Sequence, residues 1–277
     1  MSTQLAGACG DCCVKTVHHV GEARGSAVEI AGVRTYAVTP AAFGHKLEGH
    51  GKGVILYFSD IFNAFYINAQ LTMDYFAENG YTVLGIDYLN GESALDVFGV
   101  PGKDWKAWVE PHVKRAPEVT KPWLEQVRKR YGACRLVTCS RGRILIRLGG
   151  AGNCFGAPFV MNVLAQDWAI AGAFAHPTYL TEDDFKRVRR PLLMLVPGPH
   201  WRPSADGDFL FPPESRRRAV DILIEGKMEY SLVLYGGLEH GFATRGDPNV
   251  PNQRWGKEHA ALSAVAWFDH HGSVNSA

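Results

Sequence analysis

The chain lacks any run approaching the roughly 20 consecutive apolar residues that a membrane-spanning helix requires. It also lacks net charge: Lys+Arg 29 against Asp+Glu 28 leaves +1 over 277 residues. No global field therefore points to nucleic acid or a membrane surface as partner. The short basic stretches at 186–190 and 216–218 read as solvated helix faces or loops. Residues 1–13 show no basic-then-apolar secretory pattern, so a soluble, cytoplasmic setting is expected. Six cysteines in a chain of this length do not make a disulfide framework, and reduced thiols fit that setting. Repeats, low-complexity tracts and an interdomain linker are missing too. Cys9, Cys12 and Cys13 with His18 and His19 supply half of a zinc pattern. The next cysteine is Cys134, so no second close pair follows. No metal and no organic cofactor are expected, and residues 1–26 read as a loosely ordered N-terminal segment.

What is present is an alternation of buried strands and helices. Residues 27–30 and 34–38 read as a hairpin around Ala31-Gly32-Val33. Residues 53–59 and 81–87 are nearly continuous apolar runs of strand length, separated by a helix over 67–79 with Gly80 at its end. Further strands are expected at 170–175, 191–196 and 230–235, with helices at 121–131, 213–226 and 253–271. Such β-α-β alternation argues for a mostly parallel central sheet with helices on both faces. Residues 27–272 are expected to form one domain, with 88–117 as a possible cap segment. The stretches 134–143 and 197–207 are longer than their connections need and read as insertions.

The centre of the chain's chemistry is Gly152-Asn153-Cys154-Phe155-Gly156. An apolar run at 144–148 leads into it and helical composition follows. A nucleophile on a sharp strand-to-helix turn needs strained backbone angles, and glycines two residues to either side keep neighbouring chain clear. A thiol there also lies near a helix N-terminus, which favours thiolate. The bland alternative is a small buried hydrophobe in a glycine-rich turn. Asp208 and His240 follow in the order nucleophile, acid, histidine, each in a loop after an expected strand. Asp206 is the rival acid, and Asp208 could instead cap the next helix.

With those residues in view the chain resembles the dienelactone hydrolase family, in particular its fungal members. The likeness rests on Asp60-Ile61-Phe62, on Gly-Asn-Cys-Phe-Gly-Ala-Pro at 152–158, on Asp-x-x-Phe-Pro at 208–212 and on Glu-His-Gly-Phe-Ala at 239–243. It implies an α/β-hydrolase fold, with Cys154 as nucleophile, His240 as base and acid, and Asp208 orienting His240. The backbone N–H groups of Ile61 and Phe155 would form the oxyanion hole. Asp60 stands where relatives carry an acidic residue able to meet the resting thiol. Bacterial members hold a substrate carboxylate with two arginines. Here Asn90 lies near one position, and Thr244 takes the other with Arg245 displaced by one.

The expectation is therefore a hydrolase of a small-molecule carboxylic ester or lactone, working through an acyl-cysteine, as a monomer or homodimer. Phe62, His176 and Phe242 would help line the pocket along with Asp60, Asn90 and Arg245. Phe62, Phe65, Tyr66, Trp105 and Trp108 favour a neutral, flat or apolar acyl group. Two alternatives stay open. One is a catalytically silent binding protein, the other a non-hydrolytic lyase or cyclase using the same residues.

Overall fold

A computed structural model of the chain describes residues 2–47, 49–131, 148–198 and 209–274. Asp206, Asp208, the apolar run before Arg147 and the segment 134–143 lie outside the described residues, as does all but the start of the segment 197–207.

The strands are β1 (Gln4–Ala6), β2 (Ser26–Ile30), β3 (Val33–Val38), β4 (Val54–Phe58), β5 (Thr82–Ile86), β6 (Leu148–Asn153), β7 (Ala169–Ala175), β8 (Leu180–Thr181), β9 (Leu192–Pro197) and β10 (Tyr230–Tyr235). The helices are α1 (Ile67–Glu78), α2 (Trp105–Tyr131), α3 (Ala157–Leu164), α4 (Glu182–Lys186), α5 (Pro213–Glu225), α6 (Phe242–Arg245) and α7 (Pro251–Val274). Eight strands form one sheet in the order β10-β9-β7-β6-β4-β5-β3-β2. All pairings from β10 to β5 are parallel, and the hairpin β2–β3 closes the β5 edge antiparallel. The strand positions read from the sequence hold, because buried central strands announce themselves as unbroken apolar runs.

Strand alternation sorts the core into two layers. Val54, Leu56 and Phe58 of β4 face the layer that includes Trp123 of α2, Phe159 of α3 and Leu223 of α5. Ile55 and Tyr57 face the opposite layer, with Met73 of α1 and Phe268 of α7. Parallel strands bring their carboxyl ends to one edge, which gathers the loops after β4, β6, β7 and β10.

The region 105–131 differs from the sequence reading. One helix of 27 residues joins the second part of the possible cap segment 88–117 to the expected helix at 121–131, with Pro111, Pro117 and Pro122 inside it. Its buried residues Trp105, Val109, His112, Ala116, Thr120, Trp123, Val127 and Tyr131 recur at three- and four-residue spacing. That stripe is held on the sheet, where the Trp123 indole donates to Thr35 Oγ1 at 2.9 Å. Packing of an amphipathic face outweighs the local helix-breaking tendency of proline. The arginine run at 216–218 is also only partly solvated. Arg216 is buried and donates to the Pro197 carbonyl, whereas Arg218 pairs with Glu182 at 3.1 Å.

Residues 2–25, read from sequence as loose, are fixed at several points. β1 pairs antiparallel with β8. Gly7 N–H donates to the Leu210 carbonyl at 2.7 Å, and Tyr179 N–H to the Gly7 carbonyl at 2.8 Å. Farther on, His19 N–H donates to Asn68 Oδ1 at 2.9 Å and Arg24 N–H to Asp74 Oδ2 at 2.8 Å. Backbone bonds to distant partners leave no mark in a local sequence pattern. The segment consequently crosses the strand-end edge of the sheet.

Candidate active site

Cys154 follows β6 directly and has φ of +49°. A non-glycine residue in this left-handed region costs about 1–3 kcal/mol and persists only where surroundings enforce it. The flanking glycines show what enforces it. A Cβ on Gly156 would stand 2.0 Å from the Phe58 carbonyl oxygen, and one on Gly152 would stand 2.7 Å from Val160 Cγ2 and 2.9 Å from the Gly156 oxygen. The turn is thus wedged between β4 and α3, and no larger residue fits at either position. Pro158 in the first turn of α3 starts that helix without leaving an unmet N–H.

The Cys154 thiol is fully buried and meets three groups. Its Sγ donates to Cys13 Sγ at 3.5 Å, and Cys13 Sγ contacts His240 Nε2 at 3.4 Å. Burial pushes the Cys154 thiol up, yet hydrogen bonds with Cys13 and Cys9, together with the charge and hydrogen bonding of His240, bring it well below its ordinary value. Cys13 goes the other way. Hydrogen bonds with Cys12, Cys154 and Cys9, and then burial, hold its thiol well above the usual range. The two thiols are thus shifted in opposite directions, and Cys154, beside the start of α3, is the easier of the two to ionise.

Beneath this cluster lies a buried polar group. Asp60 Oδ1 accepts from Phe62 N–H at 3.0 Å, and its Oδ2 accepts from Thr244 Oγ1 at 3.0 Å. Arg245 Nε stands 3.7 Å from Asp60 Oδ2, its guanidinium lies 5.2 Å over the Phe62 ring, and its Nη1 donates to the Cys13 carbonyl. Burial raises the Asp60 carboxyl against the opposing pull of Arg245 and its hydrogen bonds. His176, at φ +37°, is fully buried, with its ring 4.9 Å from His240 and 5.8 Å from Phe242. Burial, and then the charges of His240 and Arg245, push its imidazole well below the ordinary value. Ile61 and Phe155 are buried at the ends of β4 and β6.

Of the residues singled out in the sequence, Cys154, His240, Asp60, Phe62, His176, Phe242 and Arg245 thus come together. Asn90 does not. It is exposed and accepts from Arg115 at 3.3 Å. Asp208 lies outside the described residues. Sequence reasoning missed Cys9 and Cys13 as neighbours of the site, and it did not foresee the Thr244 bond to Asp60. The half-pattern Cys9-x-x-Cys12-Cys13 was the one available signal for the thiols, and its other half is supplied by residues more than a hundred positions away. A pocket of about 190 Å³ lined by Lys15, Thr16, His240, Phe242 and Arg245 opens beside the cluster without reaching Cys154.

A parallel sheet with a strained thiol on the strand-to-helix turn after its central strand defines an α/β-hydrolase. Residues 33–272 match the model of the dienelactone hydrolase family, and the chain belongs to that family. It is accordingly an enzyme of the ester- and lactone-hydrolase type. The chain is 31% identical to Dienlactone hydrolase 2 of Gibberella moniliformis over 97% of each chain. It is 30% identical to Dienlactone hydrolase 1 of the same organism over 93% of this chain and 92% of that one. Its fold is similar to that of the dienelactone hydrolase from Anabaena variabilis, with a TM-score of 0.58 at 13% identity over 90% of this chain and 97% of the other.

Proposed function

We propose that this enzyme hydrolyses a small, neutral carboxylic ester or lactone through an acyl-cysteine on Cys154. The supporting observation is the strained, lowered thiol of Cys154, linked to His240 through Cys13 at the carboxyl edge of the sheet. His240 takes the thiol proton, and the thiolate attacks the carbonyl carbon. Collapse of the tetrahedral adduct breaks the carbon–oxygen bond, and the leaving alkoxide receives the proton from His240. Water then attacks the thioester with His240 as base, releasing the acid and returning the thiol. The N–H groups of Ile61 and Phe155 hold the oxyanion; loss of one such donor typically lowers rate about 10²–10³-fold. Asp208 fixes the His240 tautomer and stabilises its imidazolium.

Arg245 carries the substrate preference. Its side chain is 2% exposed, with Nε 3.7 Å from Asp60 Oδ2 and Nη1 donating to the Cys13 carbonyl, so its charge is already partly offset, while Nε and Nη2 make no hydrogen bond among the described residues. Among the described residues Lys15 is the other cation lining the pocket and is exposed, and Asp60 offsets Arg245, so a carboxylate buried here lacks a full counter-charge, which is expensive. The aromatic pair Phe62 and Tyr66, with ring centroids 5.3 Å apart, instead favours a flat neutral group. The resting thiol is covered by residues 9–13, so productive binding displaces that turn.

Two measurements test this reading. Intact mass after rapid mixing with an activated aryl ester should show one acyl group, mapped to Cys154; an adduct on any other residue overturns the mechanism. For a matched acid and methyl-ester pair, kcat/KM should favour the ester. A preference for the acid by about tenfold or more, 1.4 kcal/mol, would mean that a cation clamps the substrate after all.

A further inference from the structure

We propose that Cys9, Cys13, Cys154 and His240 form a binding site for a thiophilic d10 cation, Zn²⁺ foremost. The three sulfurs lie within 4.8 Å of one another, with Cys13 Sγ 3.5 Å from Cys154 Sγ and 3.4 Å from His240 Nε2. A tetrahedral zinc ion, with Zn–S of about 2.3 Å and Zn–N of about 2.0–2.1 Å, spaces its ligand atoms about 3.5–3.8 Å apart. Cys13 thus already stands at metal-site spacing from both Cys154 and His240, and gathering all four ligand atoms round one ion requires side-chain shifts that bring His240 toward Cys9 and Cys154. Cys13 is the hinge of the arrangement, since it also belongs to a second group with Cys12 and His240 whose ligand atoms lie within 4.8 Å.

The surroundings agree with the geometry. Cys13 and Cys154 are fully buried and His240 is 7% exposed, so a bound ion would be shielded from water. Cys9, Cys12, Cys13 and Cys154 are all free of disulfides. Zn²⁺ would displace the protons of the three thiols to solvent, leaving three thiolates and a neutral imidazole round the ion and a net charge of −1 on the site. The spacing Cys9-x-x-Cys12-Cys13 is that of a zinc half-site. Folding brings Cys154 and His240 to it as the missing half. Such an ion would seize the groups proposed above as nucleophile and base, so it acts as an off state relieved by chelation. That consequence rests on the proposed function; the binding itself does not.

Reduced, chelator-stripped protein would be titrated with Co²⁺ and then with Zn²⁺ against a chromophoric chelator. We expect one Co²⁺ with the intense visible bands and sulfur-to-metal charge transfer of a tetrahedral thiolate site, displaced by Zn²⁺. Cys9→Ser and Cys13→Ser should each weaken Zn²⁺ by roughly tenfold or more. His270→Ala, in the exposed group Glu229, His270 and His271, should leave the affinity unchanged. Absence of the charge-transfer band, an octahedral spectrum, or binding lost with His270→Ala but kept in Cys13→Ser would each overturn the site. Cys154→Ala separates the two readings. If it retains ester turnover while the wild-type protein binds Zn²⁺, the metal site stands and the nucleophile assignment falls. If it abolishes turnover and the wild-type protein binds no Zn²⁺, the reverse holds.

Discussion

The elbow at 152–156 and the turn at 9–13 each deliver a buried thiol to one cluster, by opposite means. The elbow is built by close approach. Its backbone is strained, and added atoms at Gly152 or Gly156 would strike Phe58, Val160 or the turn itself. The N-terminal turn is relaxed and held by long-range bonds. Gly10 is extended, with φ −117° and ψ −178°, and a Cβ there would meet nothing nearer than 3.7 Å. The two thiols differ in the same sense, with Cys154 pulled below and Cys13 pushed above the ordinary value. Strained geometry thus goes with the lowered thiol and relaxed geometry with the raised one that covers it.

The largest effect should come from deleting the reactive thiol. Cys154→Ala is expected to lower kcat/KM for a small aryl ester by about three orders of magnitude or more. Its melting temperature should stay close to that of the parent, because the thiol is placed for chemistry and the alanine fills most of its space. Turnover equal to that of the parent would remove the distinction between the two cysteines.

Next comes the backbone contrast. Gly156→Ala should destabilise the fold by about 3 kcal/mol or more in urea denaturation, since the collision is with a carbonyl in the central strand. Gly10→Ala should shift stability by no more than about 0.5 kcal/mol. Equal effects would show that the elbow relaxes more easily than its contacts imply.

The smallest effect compares reactivities. With chelator present, iodoacetamide labelling followed by peptide mapping should find that the rate at Cys154 levels off at a lower pH than the rate at Cys13, because a lowered thiol ionises first. Cys13, whose thiol is raised, should label slowly at neutral pH and gain only toward alkaline pH. Coincident profiles would mean that the cluster shares its charge evenly.

Much of this was legible in the sequence. The apolar runs of β4, β5, β7 and β9 are buried on both faces, so composition alone marks them. Gly152-x-Cys154-x-Gly156 was readable because its glycines fall at a fixed local spacing, even though what Gly156 must clear is Phe58 of the distant strand β4. Helix α2 was misread in part, since its three prolines are local signals while the stripe that keeps it whole faces a distant sheet.

The sequence by itself determined the sheet, the elbow and the histidine loop after β10, because each is fixed by residues a few positions apart. Tertiary structure alone decided which groups gather round Cys154. Cys13 reaches His240 across 227 positions, Thr244 bonds Asp60 across 184, and Arg245 is spent on Asp60 and the Cys13 carbonyl. Such contacts depend on where backbone bonds pin the N-terminal segment, and no periodicity or short motif encodes a bond between residues so far apart.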